Sequence, residues 1–174
     1  MWHSNFVKDL IVQEGDPVLR QRSLPVAKKD IGSPALIKII KKMHQALAPE
    51  KYGVALAAPQ VGEPLRMFIV AGRVFKEDEK DETEPTPETR VYINPEITRQ
   101  SRKKLDESEG CLSVRHMYGI VSRHERVTLK FLDEEGKVHT ENAAGLLAHI
   151  FQHEVDHLNG TLFIDKATDL HESK

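Results

Sequence analysis

Hydrophobic positions recur at helical spacing in two places along the chain. Leu36, Ile40, Met43 and Leu47 fall on one face of a helix. Ser33-Pro34 supplies its start, a hydroxyl N-cap followed by proline at the first helical position, and Pro49 bars its extension. The second run is "AAGLLAHIFQHEVDHL", predicted to begin near Asn142 as N-cap and to stop at Asn159-Gly160. Leu146, Ile150, His153 and His157 share one face of this helix. Leu147, Phe151, Glu154 and Leu158 form the adjacent stripe, and Asp156 points elsewhere. The two histidines therefore fall on the apolar, inward side.

Strand signals fill the middle of the chain. "RMFIVA", Arg66 to Ala71, is a short apolar strand, and "VYIN", Val91 to Asn94, is another that Pro95 ends. "VTLKFLDEEGKVHTEN" alternates around a Gly136 turn and predicts a hairpin, Val127 to Leu132 against Lys137 to Glu141. "VQEGDPVLRQRSLPV" reads as extended or turning chain broken by Pro17 and Pro25. "KEDEKDETEPTPE", from Lys76, is acidic and proline-containing and cannot bury apolar area, which predicts a mobile surface loop over about 76–89. No internal repeat is present.

At 174 residues the chain fits a single domain, 1–174, with one real core. A formal net charge of -2 gives no general attraction to nucleic acid or to an acidic membrane. No apolar run approaches the roughly 18 residues of a membrane helix. The start, "MWHSNFVKDL", has no apolar targeting core, so the expected location is cytoplasmic. Cys111 is the only cysteine, which excludes an internal disulfide.

The chemistry concentrates in "QHEVDHLNG", Gln152 to Gly160. Adjacent helical turns bring His153 and His157 together, close enough to hold one metal ion at about 2.0–2.1 Å each. Glu154 lies on the next stripe, where it can take a proton from a water at the metal. Unpartnered buried imidazoles and a carboxylate would otherwise be costly. A hydrolytic divalent site usually takes three protein ligands. Glutamates, the other histidines and Cys111 are candidates for the third. Cys111 stands in "SEGCLS", where Gly110 permits a close backbone approach, and a thiolate beside a divalent ion is readily deprotonated. "YGVALAAPQVG", Tyr52 to Gly62, is rich in small residues around one amide side chain, Gln60, and reads as a tightly packed loop and edge strand.

"GVALAAPQ", "EGCLS" and "HEVDH" occur in the order and spacing of the three motifs of peptide deformylase, which this sequence closely resembles. The resemblance runs from "GDPVLR" near Gly15 to "GTLFID" ending at Asp165 and includes "INPEI" and "AAGLLA". It implies an α+β fold with antiparallel β-sheets around a central metal-binding helix. It implies Cys111, His153 and His157 as metal ligands and Glu154 as general acid/base. Gln60 and the backbone N–H of Leu112 are the implied oxyanion donors. Gly53, Val54, Ala55, Glu109, His149 and Ile150 are the implied substrate-binding residues, and Glu109 with Arg123 is a candidate ion pair orienting the Cys111 loop. The implied cofactor is one divalent metal ion, commonly Fe²⁺, with Zn²⁺, Ni²⁺ or Co²⁺ able to occupy the site. The implied substrates are N-formylmethionyl nascent peptides, with the ribosome as a further partner and no nucleic-acid or membrane binding.

Three features depart from that family pattern. Ala55 replaces a usual glycine, Arg115 stands where proline often follows "CLS", and the tail after Asp165 is only "KATDLHESK", too short for a long C-terminal helix. Two other function classes are compatible with the helix motif alone: a metallopeptidase cutting internal bonds, and a non-catalytic binder of modified N-termini.

Overall fold

The computed structural model describes residues 10–76 and 86–173. Most of the acidic loop therefore lies outside the described residues. In chain order the elements are α1 (Pro34–Leu47), β1 (Ala55–Ala57), β2 (Met67–Val70), β3 (Arg90–Gln100), β4 (Lys104–Cys111), β5 (Val114–His124), β6 (Arg126–Leu132), β7 (Val138–Ala144), α2 (Gly145–Leu158) and β8 (Thr168–Glu172), with short 3-10 turns between them. Five strands form one sheet in the order β1-β2-β3-β6-β7 and three form another in the order β4-β5-β8. All pairings within them are antiparallel.

The continuous apolar run of β2 has a direct cause: it is covered on both faces. Met67 and Ile69 pack with Leu36, Ile40, Met43 and Leu47 of α1, while Phe68 and Val70 pack with Ile150, Phe151, Val155 and Leu158 of α2. Phe68 stacks on Tyr92 at the centre of the second layer and Phe151 meets both at an angle, with ring centroids 4.8 to 6.0 Å apart. Burying each such side chain is worth about 1.5–3 kcal/mol. The helix α2 is thus anchored on the five-stranded sheet by one stripe, and its histidine stripe turns toward β4 and β5.

α1 starts as expected, with Ser33 Oγ accepting from Leu36 N at 3.2 Å. The 127–141 hairpin is present in β6 and β7, which pair from Arg126↔Ala144 to Leu132↔Val138. Two expected boundaries move. β3 does not end at Pro95 but runs through it, because the register shifts between Ile93 and Glu96 and such a bulge needs no N–H from the proline. Nor is Asn142 the helix cap: β7 continues to Ala144, and Asn142 Oδ1 accepts from Thr128 Oγ1 on β6 at 2.8 Å. Gly145, at φ 56°, makes the turn from strand into α2. In consequence Leu146, assigned by spacing to the inward face, is 54% exposed. The C-terminal tail is strand rather than helix, with β8 pairing along β5. Among the described residues no helix is long and apolar enough to cross a membrane.

Candidate metal centre and active site

Cys111 ends β4 at the turn into β5. Gly110 before it sits opposite Tyr118, and a Cβ there would lie 2.8 Å from the Tyr118 ring, so the strand reaches the turn only with glycine or with a displaced ring. His153 and His157 lie one turn apart on α2. His157 Nε2 stands 3.3 Å from Cys111 Sγ and 3.2 Å from His153 Nε2. One ligand atom from each of the three residues falls within 4.8 Å of the others.

This donor set fits a divalent cation. His153 Nδ1 donates to Glu109 Oε2 at 2.8 Å, which leaves its Nε2 lone pair facing inward. Burial, with His153 beside it, holds His157 well below the usual imidazole range, and the neutral form is the one that ligates. For His153 burial works the same way but is overcome by hydrogen bonds to Cys111 and Glu109. Two ring nitrogens and a sulfur thus converge at one point, a donor set that suits a divalent cation.

Glu154 is buried on the next stripe. Its Oε2 has no hydrogen-bond partner among the described residues, and burial pushes its carboxyl up to about 7. A carboxyl poised there exchanges a proton readily near neutral pH. Gln60 sits on the 3-10 turn Ala58–Val61 after β1. Its Oε1 accepts from Ala57 N at 2.9 Å, so its Nε2 points to Ser113 Oγ at 3.1 Å and toward Cys111 Sγ at 3.5 Å. Leu112 lies in the β4–β5 turn with its side chain against Gly53, where a Cβ would come within 3.0 Å of it.

A cleft of about 770 Å³ opens over these groups. Val54, Ala55, His149 and Ile150 line it together with Gln60, Cys111, His153 and Glu154. β1 and β4 are edge strands, and residues of both face the cleft. Glu109 borders the cleft, with its side chain only 1% exposed. Its carboxylate holds His149 Nε2 at 2.8 Å and His153 Nδ1 at 2.8 Å, and receives a two-pronged bond from Arg123 at 2.5 and 2.9 Å. Burial would raise its pKa, but the bonds from both histidines and Arg123 hold it well below the usual carboxylate range. For Arg123, burial is outweighed in the same way by Glu109 and Asp156, which keep it charged. The expected Glu109–Arg123 pair therefore exists as a buried pair behind His153.

Sequence reasoning missed Ser113, which fixes the Gln60 amide, although it stands inside "EGCLS". It also missed Asp156 on α2, which bonds Arg123 on β5, and Lys166, which bonds Asp156; such contacts leave no local pattern. Arg115 is bonded to Glu50 at 2.9 Å, so the departure from proline places a charge pair at the mouth of the cleft.

A thiol and two imidazoles converging beside a buried carboxyl, on a cleft between two antiparallel sheets, define the class of metal-dependent hydrolases that carry His-Glu-x-x-His on a helix. The sequence model of the family "Polypeptide deformylase" matches residues 8–173. A peptide deformylase of Mesorhizobium japonicum is 41% identical over 94% of this chain and 86% of its own length. One of Christiangramia forsetii is 39% identical over 92% and 82%. The Met-Ala-Ser-bound crystal structure of a class I type b peptide deformylase from Acinetobacter baumannii superposes with a TM-score of 0.78 at 35% identity, covering 90% of this chain and 96% of that one. The chain belongs to the polypeptide deformylase family. It is a metal-dependent hydrolase that removes the N-terminal formyl group from nascent polypeptides. Neither the internal-bond peptidase nor the non-catalytic binder is supported.

Proposed function

We propose that Cys111, His153 and His157 hold the catalytic ion and that Glu154 moves the proton. The convergence of those three ligand atoms beside the unpartnered Glu154 Oε2 carries this reading. When bound, a divalent ion would lower the pKa of a water and polarise the formyl oxygen. Glu154 takes a proton from the water as its oxygen bonds to the formyl carbon. The C–N bond then breaks, and Glu154 delivers the proton to the departing amine, leaving formate. Gln60 Nε2 and the Leu112 N–H hold the developing oxyanion, and one such donor is commonly worth about 3–4 kcal/mol.

The substrate peptide lies extended between the free edges of β1 and β4, where main-chain bonds give affinity without reading sequence. Its methionine enters the apolar part of the cleft formed by Val54, Ala55, Ile150 and the carbon face of His149. A relative from Acinetobacter baumannii binds Met-Ala-Ser, which supports a peptide beginning with methionine as the ligand class. Our choice for the physiological ion is Fe²⁺, in keeping with the family resemblance, and a Cys with two His also accommodates Zn²⁺, Ni²⁺ and Co²⁺. On this reading the protein works in the cytoplasm near the ribosome, and its chemistry calls for no nucleic-acid or membrane binding of its own. Metal analysis of protein purified without air, together with formate release from a formyl-Met peptide, tests this reading. One equivalent of iron with turnover is expected. Metal retained in a Cys111→Ser variant would refute the ligand set.

Two further outcomes are expected. The iron form should lose activity in peroxide as Cys111 climbs the thiol oxidation ladder, while the zinc form persists. Mass spectrometry of Cys111 after exposure checks this, and an unmodified thiol with full activity would contradict it. Ala55→Gly should raise kcat/KM on short formyl-Met peptides a few-fold. Ala55 is on β1 and lines the cleft, so its methyl alone crowds the substrate, by roughly 1 kcal/mol. Glycine inside a strand costs about 0.5–1 kcal/mol, so the melting temperature should fall as activity rises. A fall in both would mean the pocket is shaped around alanine.

A further inference from the structure

A closed ring of hydrogen bonds ties α2 to both strands beside its histidine face. His153 Nδ1 meets Glu109 on β4, Arg123 on β5 forks onto Glu109, and Arg123 Nη1 donates to Asp156 Oδ2 at 2.6 Å. Asp156 lies on the same helix one turn after His153, so the ring leaves α2 at one ligand and returns just before the next. Outside the ring, Lys166 Nζ sits 2.7 Å from both Asp156 oxygens. Side-chain exposure falls along this line from 43% at Lys166 through 15% at Asp156 and 6% at Arg123 to 1% at Glu109. The formal charges alternate in sign along the line from Lys166 through Asp156 and Arg123 to Glu109.

We propose that Asp156 and Lys166 are positioning residues that sustain metal affinity by locking the Arg123 guanidinium, and through it Glu109 and His153. The proposal rests on the reading of His153 as a metal ligand. Each Glu109 oxygen serves Arg123 and one histidine, so the place of the carboxylate is set by the guanidinium fork. The fork uses Nε and Nη2 and leaves Nη1 to Asp156. Without that carboxylate a buried cationic N–H loses its partner, which is costly. Its cheapest relief is rotation toward water, and rotation pulls the fork off Glu109. His153 then loses the bond that sets its tautomer and ring orientation. Partners outside the first ligand sphere commonly change metal affinity by about 10–100-fold. Lys166 restrains Asp156 from the solvent side, where screening makes its share smaller.

The test uses protein loaded with Zn²⁺ as the probe metal. Release into excess chelator is timed, beside the melting temperature of the metal-free form and kcat and KM at full loading. Asp156→Ala, which alanine's helix propensity helps to fold, should release zinc about tenfold faster. Lys166→Met, a surface change that leaves the core intact, should release it about threefold faster, and Lys166→Arg should restore the wild-type rate. KM for a formyl-Met peptide should stay unchanged at full loading. Wild-type release from both Asp156→Ala and Lys166→Met would overturn the proposal. So would a lower melting temperature of the metal-free form with release unchanged, the mark of a purely structural strut. Failure of the wild type to bind one equivalent of zinc would instead bring down the metal-centre reading, and this inference with it.

Discussion

Glu154→Gln is expected to keep its metal and to lose turnover by about 10²–10⁴-fold, the usual share of a general acid/base. The change is isosteric and removes only the ability to give and take a proton. The three converging ligand atoms come from Cys111, His153 and His157, and Glu154 is not among them. Stability should not suffer. Burial already pushes the Glu154 carboxyl up to about 7, so ionisation is disfavoured in the folded protein and a neutral amide removes that penalty. Metal content by mass spectrometry, thermal unfolding and formate release measured on one preparation separate the possibilities. A variant that loses its metal would make Glu154 a ligand and overturn its role as proton carrier. A variant that keeps both metal and turnover would move the proton transfer to another group.

Much of this architecture was legible because local signals agreed with packing. The face of Leu36, Ile40, Met43 and Leu47 was readable as a helix because the same residues are the buried ones. The apolar run at 67–70 was readable as a strand because both of its faces are covered. The histidine helix was readable from spacing, but its start was not. Asn142 has the chemistry of a cap, yet its pairing partner on β6 lies 14 residues back and holds it in a strand. Pro95 misled for a related reason: it stops a regular ladder, and the ladder here is bulged. The identity of the third ligand was open from the helix alone and narrowed only through the order of three motifs. The pairing of Glu109 with Arg123 was a candidate from the motif, but its bonds to His149 and His153 were not legible. Only the position of Arg123 on the neighbouring strand shows that its carboxylate is spoken for.

Arg123→Met should destabilise the protein by about 3–5 kcal/mol, the cost of stripping one partner from a buried ion pair. Methionine replaces the stem of arginine but none of its donors. Glu109, 1% exposed, would lose both prongs of the guanidinium fork, and Asp156 would lose its bond at 2.6 Å. His149 and His153 would remain as the donors to Glu109, and they are fewer than an ionised buried carboxylate needs. Against a typical total of about 5–15 kcal/mol this is a large fraction. The melting temperature should fall by on the order of 10 °C for a chain of this size. Adding Glu109→Gln should recover part of the loss, because the stranded charge goes with it, so the two changes should be strongly non-additive. The recovered protein would still bind metal poorly, since an amide at 109 holds His153 less firmly than a carboxylate does. Equal losses in the single and double variants would show that the pair acts through packing of the arginine stem rather than through its charge. A shift of under about 2 °C in Arg123→Met would show that water reaches Glu109 and replaces the guanidinium at little cost.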